Sequence, residues 1–446
     1  MLREAWTLAI KTLSYIELKR LGERLALTKA AKQLRVKDTK VIGLAHRLVS
    51  ETLRKRNYID FMLNSLLAPR SLIDLKLDIM AFLRLYFYET KLVQGNLGKA
   101  SRIAQMGRSI LGWWNLKDVE KVLGEILGIN LEYSLTRLEE TEKVGLETFH
   151  PTWFVKYCFK LLGRGEALKF LEKSADIPPV YLRLNTLIAP EENLLKSIEN
   201  EKVILENVPK LKHTYKLLET IKPLTRTESF RQGLFYIQDK ASCLAAEIAD
   251  PKPDTIVLDI CAAPGSKTTY LAQLMKNKGK IVSVDYSKRR LRVWKRETER
   301  MGTTIVQPIV ADARNSLPLK VTADLVILDP PCTSTGTFGK TPDAKWRLTK
   351  RSMLGMSKIQ AELIEQCAEY VKHDGFLVYS TCSIALEEDE MIIENFLKLH
   401  SEFKLVSSKP RIGLPGLRGL TKCQRLYPHI HECNGFFVAK LKKETT

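Results

Sequence analysis

The residues best suited to chemistry gather in a few short stretches of the second half of the chain. Asp259-Ile260-Cys261-Ala262-Ala263-Pro264-Gly265-Ser266-Lys267-Thr268 is a run of small residues that closes an apolar segment and opens a helical one. Such a turn lets backbone amides approach a ligand, and Lys267 is placed to meet a carboxylate. The run holds one glycine and does not match the GxGxxG dinucleotide loop. Alone, it is also what a plain strand-to-helix turn looks like. Asp285 follows 20 residues after Gly265. At that spacing an acidic side chain accepts hydrogen bonds from both ribose hydroxyls of a nucleoside. Asp312, in Ala311-Asp312-Ala313, is placed to read an adenine amino group. Asp329-Pro330-Pro331-Cys332 and Ser380-Thr381-Cys382-Ser383 add a carboxylate and two thiols.

One aspartate after a strand is usually a helix cap. Asp285, Asp312 and Asp329 together, with two cysteines beside them, are not explained that way. A cysteine is more often a small buried hydrophobe than a nucleophile, and Cys158, Cys243 and Cys367 sit in apolar helical contexts that suit that role. Cys332 and Cys382 instead have Pro, Ser and Thr neighbours, in loops where a nearby cation or helix amino terminus favours the thiolate. Carbon 5 of cytosine is a poor nucleophile. A thiolate that adds to carbon 6 turns the ring into an enamine able to take up an electrophilic methyl group. The sequence then needs a nucleophile, an acid against ring nitrogen 3 and a base for the carbon-5 proton. Cys382, Asp329 and Cys332 are the candidates in that order, although spacing alone does not decide between the thiols.

These stretches belong to a regular alternation of elements. Strands are predicted at 255–260, 280–286, 305–311, 324–329 and 375–381, with helices at 266–275, 288–301, 354–371 and 387–397 and late strands at 403–406 and 435–441. Strands alternating with helices imply a mostly parallel sheet covered on both faces, with its ligand beyond the carboxyl ends of the strands. Every stretch named above lies at such an end. Residues 145–245 read as a small α+β region, in which Pro178-Pro179 stops a helix and 180–184 alternates like a strand. Residues 1–135 read as a helical bundle reaching to about Tyr133, with apolar residues at helical spacing in Ile42-Ala45-Leu48-Val49-Leu53 and Ile79-Phe82-Leu83-Tyr86 and breaks at 64–71 and 95–98. The predicted domains are 1–135, 145–245 and 246–446.

Composition bounds the function. The 446 residues carry a formal net charge of +20, concentrated in 1–100 and 251–446 with a nearly neutral middle. Two basic lobes suit a polyanion touching both ends of the molecule, a lysine-rich solvated surface being the plainer reading. With 45% hydrophobic residues and only strand-sized apolar runs, the chain is neither disordered nor membrane-spanning. Arg3 and Glu4 interrupt the first ten residues, so no secretory signal is expected. Eight cysteines without a CxxC pair suggest a reducing, cytoplasmic setting. Cys423, His429, His431 and Cys433 fit no common zinc spacing, so no metal is expected. The basic helix from Lys288 to Arg300 reads as a solvated face, and Trp113-Trp114 as bundle core rather than a base-stacking platform.

The chain resembles the Sun/RsmB-type (NSUN) RNA 5-methylcytosine methyltransferases over most of its length. The resemblance rests on the loop 261–268, on Asp329-Pro330-Pro331-Cys332 with Pro342-Asp343-Ala344-Lys345-Trp346, and on Ser380-Thr381-Cys382-Ser383. Flanking matches are His150-Pro151-Thr152-Trp153, Arg183-Leu184-Asn185-Thr186, Gln238-Asp239-Lys240-Ala241-Ser242 and Gly435-Phe436-Phe437. The first third is similar to a NusB-like RNA-binding domain in Arg47-Leu48-Val49 and Thr52-Leu53-Arg54. The resemblance implies a Rossmann-like α/β methyltransferase domain preceded by a small α+β segment and an all-α NusB-like bundle. It implies that Cys261, Ala262, Ala263, Pro264, Gly265, Ser266 and Lys267, with Asp285, Asp312 and Asp329, bind S-adenosylmethionine. Cys382 then attacks, Cys332 assists product release, and the partner is RNA, ribosomal before transfer RNA, met by a monomer.

Ser266 stands where a second glycine is common, and Thr333-Ser334-Thr335-Gly336 replaces a more usual Ser-Gly-Thr-Gly, which implies a less permissive backbone. An amino-group methyltransferase built on Asp329-Pro330-Pro331 would want an aromatic residue where Cys332 stands and would leave Cys382 idle. A purely RNA-binding protein would not need Cys382, Cys332 and Asp329 intact.

Overall fold

The structure, a computed structural model, describes residues 1–93, 96–130, 135 and 138–444, and counts and absences below refer to these. Gly95, where one helix break is predicted, and Tyr133, the predicted end of the bundle, lie outside them. The chain packs as two compact units: Met1–Asp176 with Phe338–Arg347, and Ile177–Thr337 with Leu348–Thr446.

The first unit is all helix. Its predicted amphipathic stripes are largely buried: Ala45, Leu48, Val49 and Leu53 from one helix, where Val41 takes the buried place and Ile42 is only half-buried, and Ile79, Phe82, Leu83 and Tyr86 from another, around Trp6. Arg84, nearly buried, is held by Glu17 at 2.8 Å and Asp60 at 2.6 Å, which keeps its charge paired inside the bundle. The bundle continues past 135. Helices Glu140–Glu147, Thr152–Leu162 and Arg164–Ala175 pack with it rather than with an α+β region, burying Phe154, Val155, Cys158 and Phe170. Phe338 completes this core with its ring 5.0 Å from that of Phe154.

The segment Phe338–Arg347 reaches the helical unit from the second half of the sequence. Lys345 is fully buried and donates to the carbonyls of Arg54 (3.0 Å) and Phe149 (2.7 Å). The Trp346 indole donates to Leu53 O at 2.6 Å, and Arg54 returns a bond to Gly339 O at 2.9 Å. Two motif stretches nearly 300 residues apart in sequence thus satisfy one another's backbone groups.

The tryptophan pair departs from expectation. Gly112 (φ +84°) ends helix Leu97–Leu111 and restarts a short one at Trp113. After that kink Leu116 takes the inward position, while Trp113 and Trp114 are 51% and 77% exposed. They are surface, not core.

The second unit holds two sheets. We number its strands β1 (Tyr181–Leu184), β2 (Val203–Asn207), β3 (Thr214–Thr220), β4 (Phe235–Ile237), β5 (Ile256–Ile260), β6 (Lys280–Asp285), β7 (Val306–Val310), β8 (Ala323–Leu328), β9 (Val371–Thr381), β10 (Phe403–Val406), β11 (Leu414–Pro415), β12 (Gln424–Leu426) and β13 (Phe436–Lys443). The small sheet runs β2-β3-β1-β4, all antiparallel. The large one runs β11-β12-β13-β9-β8-β5-β6-β7, with β10 also on β13. Strands β9-β8-β5-β6-β7 are parallel, and the rest form an antiparallel extension beyond β9.

Alternate residues of the parallel strands feed two cores. Leu258, Ile260, Val326, Leu328 and Tyr379 pack with helix Lys350–Glu369, while Val257, Ile281, Ile327 and Val378 pack with helices Lys240–Ala249 and Ser266–Leu274. Burial on both faces is what a parallel sheet requires. The chain order reverses between β5 and β8, so the ligand crevice falls outside their carboxyl ends.

The small sheet is tied down by motif residues. Arg183, fully buried on β1, donates to Gln238 Oε1 (2.9 Å) and Thr269 Oγ1 (2.8 Å) and bonds Gln273. The Asn185 amide spans Gly233 O and Met301 O, both at 2.9 Å. Three predicted elements shift: the helix predicted at 354–371 spans Lys350–Glu369, the strand predicted from 375 begins at Val371, and residues 387–389 form a turn before the helix that begins at Glu390.

Candidate active site

Each strand end delivers one part of the site. At β5, Asp259 is buried and accepts from Thr268 Oγ1 at 2.5 Å, and Trp294 Nε1 steadies the same hydroxyl at 3.0 Å. Burial raises the Asp259 carboxyl to about 7, against the opposing hydrogen bond from Thr268. The following turn needs two left-handed residues, Cys261 (φ +63°) and Gly265 (φ +107°), before the helix at Ser266. Its amides are largely used internally: Ala262 N bonds Val284 O (3.0 Å), Ala263 N bonds Asp285 Oδ2 (3.2 Å) and Gly265 N bonds Ala262 O (2.9 Å). The loop therefore acts first by fixing its own shape. The amides at 262, 263 and 265 are not the open donors that the sequence suggested.

At β6, Asp285 is held on several sides. Besides Ala263 N, it accepts from Ser287 N at 2.9 Å and faces the Arg290 guanidinium at 3.0 Å. Beyond β7, Asp312 is gripped by Arg314 at 2.6 Å, which holds its carboxyl below the usual range. Cys261, Asp285, Asp312 and Pro331 line one cavity of ≈ 280 Å³, walled by apolar side chains of helix Lys350–Glu369 such as Ile359 and Leu363. Of the loop 261–267, Cys261 alone contributes to that lining; Ala262, Ala263, Pro264, Ser266 and Lys267 do not. An apolar slot with carboxylates at two strand ends is shaped for a planar base bearing a ribose.

At β8, Asp329 accepts from Lys267 Nζ at 2.6 Å and from Ser380 Oγ at 3.2 Å. Lys267 thus turns to Asp329 within the chain itself. Cys332 and Cys382, on the loops after β8 and β9, bring their sulfurs to 3.2 Å. Their surroundings differ. Cys382 Sγ lies 3.4 Å from Ser334 Oγ, and Cys332 Sγ 3.9 Å. The hydrogen bond between the thiols pushes Cys332 well up, and burial adds to it. The same bond, helped by Ser334, lowers Cys382 against the cost of burial. The pair is thus asymmetric, with Cys382 the readier of the two to ionise.

Ser334 adopts φ +57°, the left-handed backbone that glycine tolerates best, at the place where the sequence departs from Ser-Gly-Thr-Gly. The strain costs about 1–2 kcal/mol, and a hydroxyl within reach of both sulfurs is gained. Gly336 lies too close to the Gly435 backbone to carry a Cβ; its amide bonds Cys382 O at 3.0 Å, and its carbonyl accepts from Gly435 N at 2.8 Å. That pins the Cys332 loop to the Cys382 loop.

Sequence reasoning missed the buried carboxylates behind these loops. Glu388 accepts from Thr333 N at 2.8 Å and from the Thr333 hydroxyl, while Tyr379 OH donates to its carbonyl at 2.6 Å. Asp389 takes the Thr381 hydroxyl at 2.5 Å, and Arg425, fully buried, clamps Asp389 and Glu390. The only signal was Glu387-Glu388-Asp389-Glu390 itself, which reads as a solvated helix start. Cys158, Cys243, Cys367, Cys423 and Cys433 are buried away from these loops.

A parallel sheet with an apolar, carboxylate-edged cavity and a thiol pair beyond its strand ends fits a transferase of the methyltransferase class. Comparison with known proteins agrees. Residues 246–442 match the 16S rRNA methyltransferase RsmB/F family. A probable ribosomal RNA small subunit methyltransferase B of Bacillus subtilis is 29% identical over 90% of both chains. A tRNA (cytosine(72)-C(5))-methyltransferase of Pyrococcus horikoshii is 37% identical over 49% of this chain, which spans 55% of that relative. Among solved structures, PH0851 is similar at TM-score 0.84 and 30% identity, covering 99% of both chains. NSun6 from Pyrococcus horikoshii, solved with the S-adenosylmethionine analogue SFG, is similar at TM-score 0.62 and 26% identity, over 66% of this chain and 99% of that one. The chain belongs to the Sun/RsmB-type (NSUN) family of RNA cytosine-C5 methyltransferases. It is an enzyme whose methyl donor is S-adenosylmethionine.

Proposed function

We propose that the chain methylates carbon 5 of a cytosine in ribosomal RNA through a covalent adduct on Cys382. The observation that carries this reading is the thiol pair: sulfurs 3.2 Å apart, with hydrogen bonding that lowers Cys382 and raises Cys332. The cavity lined by Asp285 and Asp312 would hold the nucleoside of the cofactor, with Asp329 and Lys267 beside it. When bound, S-adenosylmethionine supplies a methyl carbon made electrophilic by its sulfonium.

The Cys382 thiolate adds to carbon 6, forming a C–S bond while the ring's electron pair shifts toward carbon 5. Ring nitrogen 3 takes up a proton from solvent, which the Asp329 carboxylate holds by accepting its hydrogen bond, and returns it to solvent when the adduct collapses. Cys332 owes its high pKa first to its bond with Cys382. Once the Cys382 sulfur is a thioether that cause is gone, and Cys332 can ionise, its proton passing to solvent. It then takes the carbon-5 proton of the methylated ring as the C–S bond breaks and returns its electron pair to Cys382.

The ribosomal preference is supported by the Bacillus subtilis relative, which matches nearly end to end. A close pair of free thiols fits a reducing cytoplasm. The test supplies purified protein with isotopically labelled S-adenosylmethionine and with ribosomal or transfer RNA, then maps 5-methylcytidine by mass spectrometry and bisulfite sequencing. Label on an exocyclic amine, or on neither RNA, would end this reading. Label on transfer RNA alone would end the ribosomal part.

A further inference from the structure

The exposed tryptophan pair of the helical unit is large, apolar and unused by the chemistry above. Trp113 and Trp114 are half and three-quarters exposed, although an indole gains about 25 cal/mol for each Å² removed from water. Each ring carries a cation: Arg108 lies 5.7 Å from the Trp113 centroid and Lys117 4.9 Å from that of Trp114. Lys76 joins them by donating to Asn115 at 2.9 Å. Glu120 neutralises Arg108, and Asp118 is the other acid of this stretch. Lys76 and Lys117 have no carboxylate partner among the described residues. A protein-docking patch keeps its apolar centre free of charge. Here cations sit on the aromatic rings themselves.

We propose that Trp113 and Trp114 form a stacking platform for unpaired bases of the RNA substrate, with Lys76 and Lys117 meeting the adjoining phosphates. Aromatic faces accept any base, and the cations track the backbone, so the platform holds single-stranded RNA without reading its sequence. The inference rests on the reading of this chain as an RNA methyltransferase and adds where the helical unit grips.

The test compares the full-length protein with W113A/W114A and W113F/W114F for binding a labelled single-stranded 12-mer and a duplex of the same sequence at fixed salt. Stacking on one or two bases predicts that the alanine pair weakens single-strand binding by roughly five- to a hundredfold. The phenylalanine pair should keep most of the affinity, and the duplex should lose little. Calorimetric S-adenosylmethionine affinity and the thermal midpoint should stay at wild-type values, since both side chains are exposed. Unchanged single-strand affinity, or equal loss for duplex and single strand, would overturn the platform. So would lost protein–protein association with RNA binding intact. If wild-type protein methylates RNA while the alanine pair binds normally, the platform alone fails. If wild type methylates no RNA, the reading beneath it fails.

Discussion

The loops after β8 and β9 each present a cysteine to the same point, the sulfurs 3.2 Å apart, yet their surroundings shift the two thiols in opposite directions. Both are half-buried, and loss of water disfavours a thiolate at each. The difference comes from neighbours. Cys382 lies 3.2 Å from the Cys332 sulfur and is the nearer of the two to Ser334 Oγ, and both hydrogen bonds favour its charge, as Lys267 does against Asp329. Cys332 faces Glu388, which disfavours a second negative charge. Placement of neighbouring groups over a few ångströms, not residue type, separates the two thiols.

Removing either sulfur should therefore have different consequences. Cys382→Ala is expected to lower methylation by more than about a thousandfold and to leave no adduct. Retained turnover, measured by label transfer, would abolish the distinction drawn here. Cys332→Ala should slow turnover by roughly 10²–10⁴-fold while a protein–RNA species resistant to denaturation accumulates on gels. Adduct accumulating in the Cys382 variant instead would reverse the assignment.

Asp285→Asn probes the cofactor side alone. It should weaken S-adenosylmethionine by about tenfold or more in calorimetry, as loss of a charged hydrogen bond does, without preventing adduct formation at saturating cofactor. An unchanged affinity would place the nucleoside elsewhere. The smallest effect concerns pH. The attacking form is the thiolate, so single-turnover rate should fall as pH drops through the depressed Cys382 value. Ser334→Ala removes a donor to that thiolate and should move the midpoint upward, slowing the variant severalfold at low pH and not at high pH. A midpoint that stays put would take Ser334 out of the account.

Much of the parallel sheet was legible because its strands alternate with amphipathic helices, and helices 266–274 and 288–300 begin where predicted. The strand-end aspartates and cysteines follow from that alternation. The buried acids at 388–390 did not, since three carboxylates in a row read as solvent-facing until Arg425 and Thr333 appear beside them. Ser334 was noticed as a departure from glycine, but its value as a donor needed its coordinates. Removing the first 130 residues is a poor test of RNA binding by the bundle, because helices through Ala175 and the segment Phe338–Arg347 share its core. The Trp113-Trp114 substitutions avoid that difficulty.

What the sequence by itself determined is local: the periods of strands and helices, the acids and thiols that end each strand, and the excess of positive charge. Those depend on neighbours a few positions away. Tertiary structure alone decided which unit residues 140–176 and 338–347 join, in which direction each thiol of the pair is shifted, and that a glycine kink turns two tryptophans outward. Each of those depends on groups distant in sequence coming within a few ångströms, where burial and hydrogen bonding are set by the partner and not by the residue.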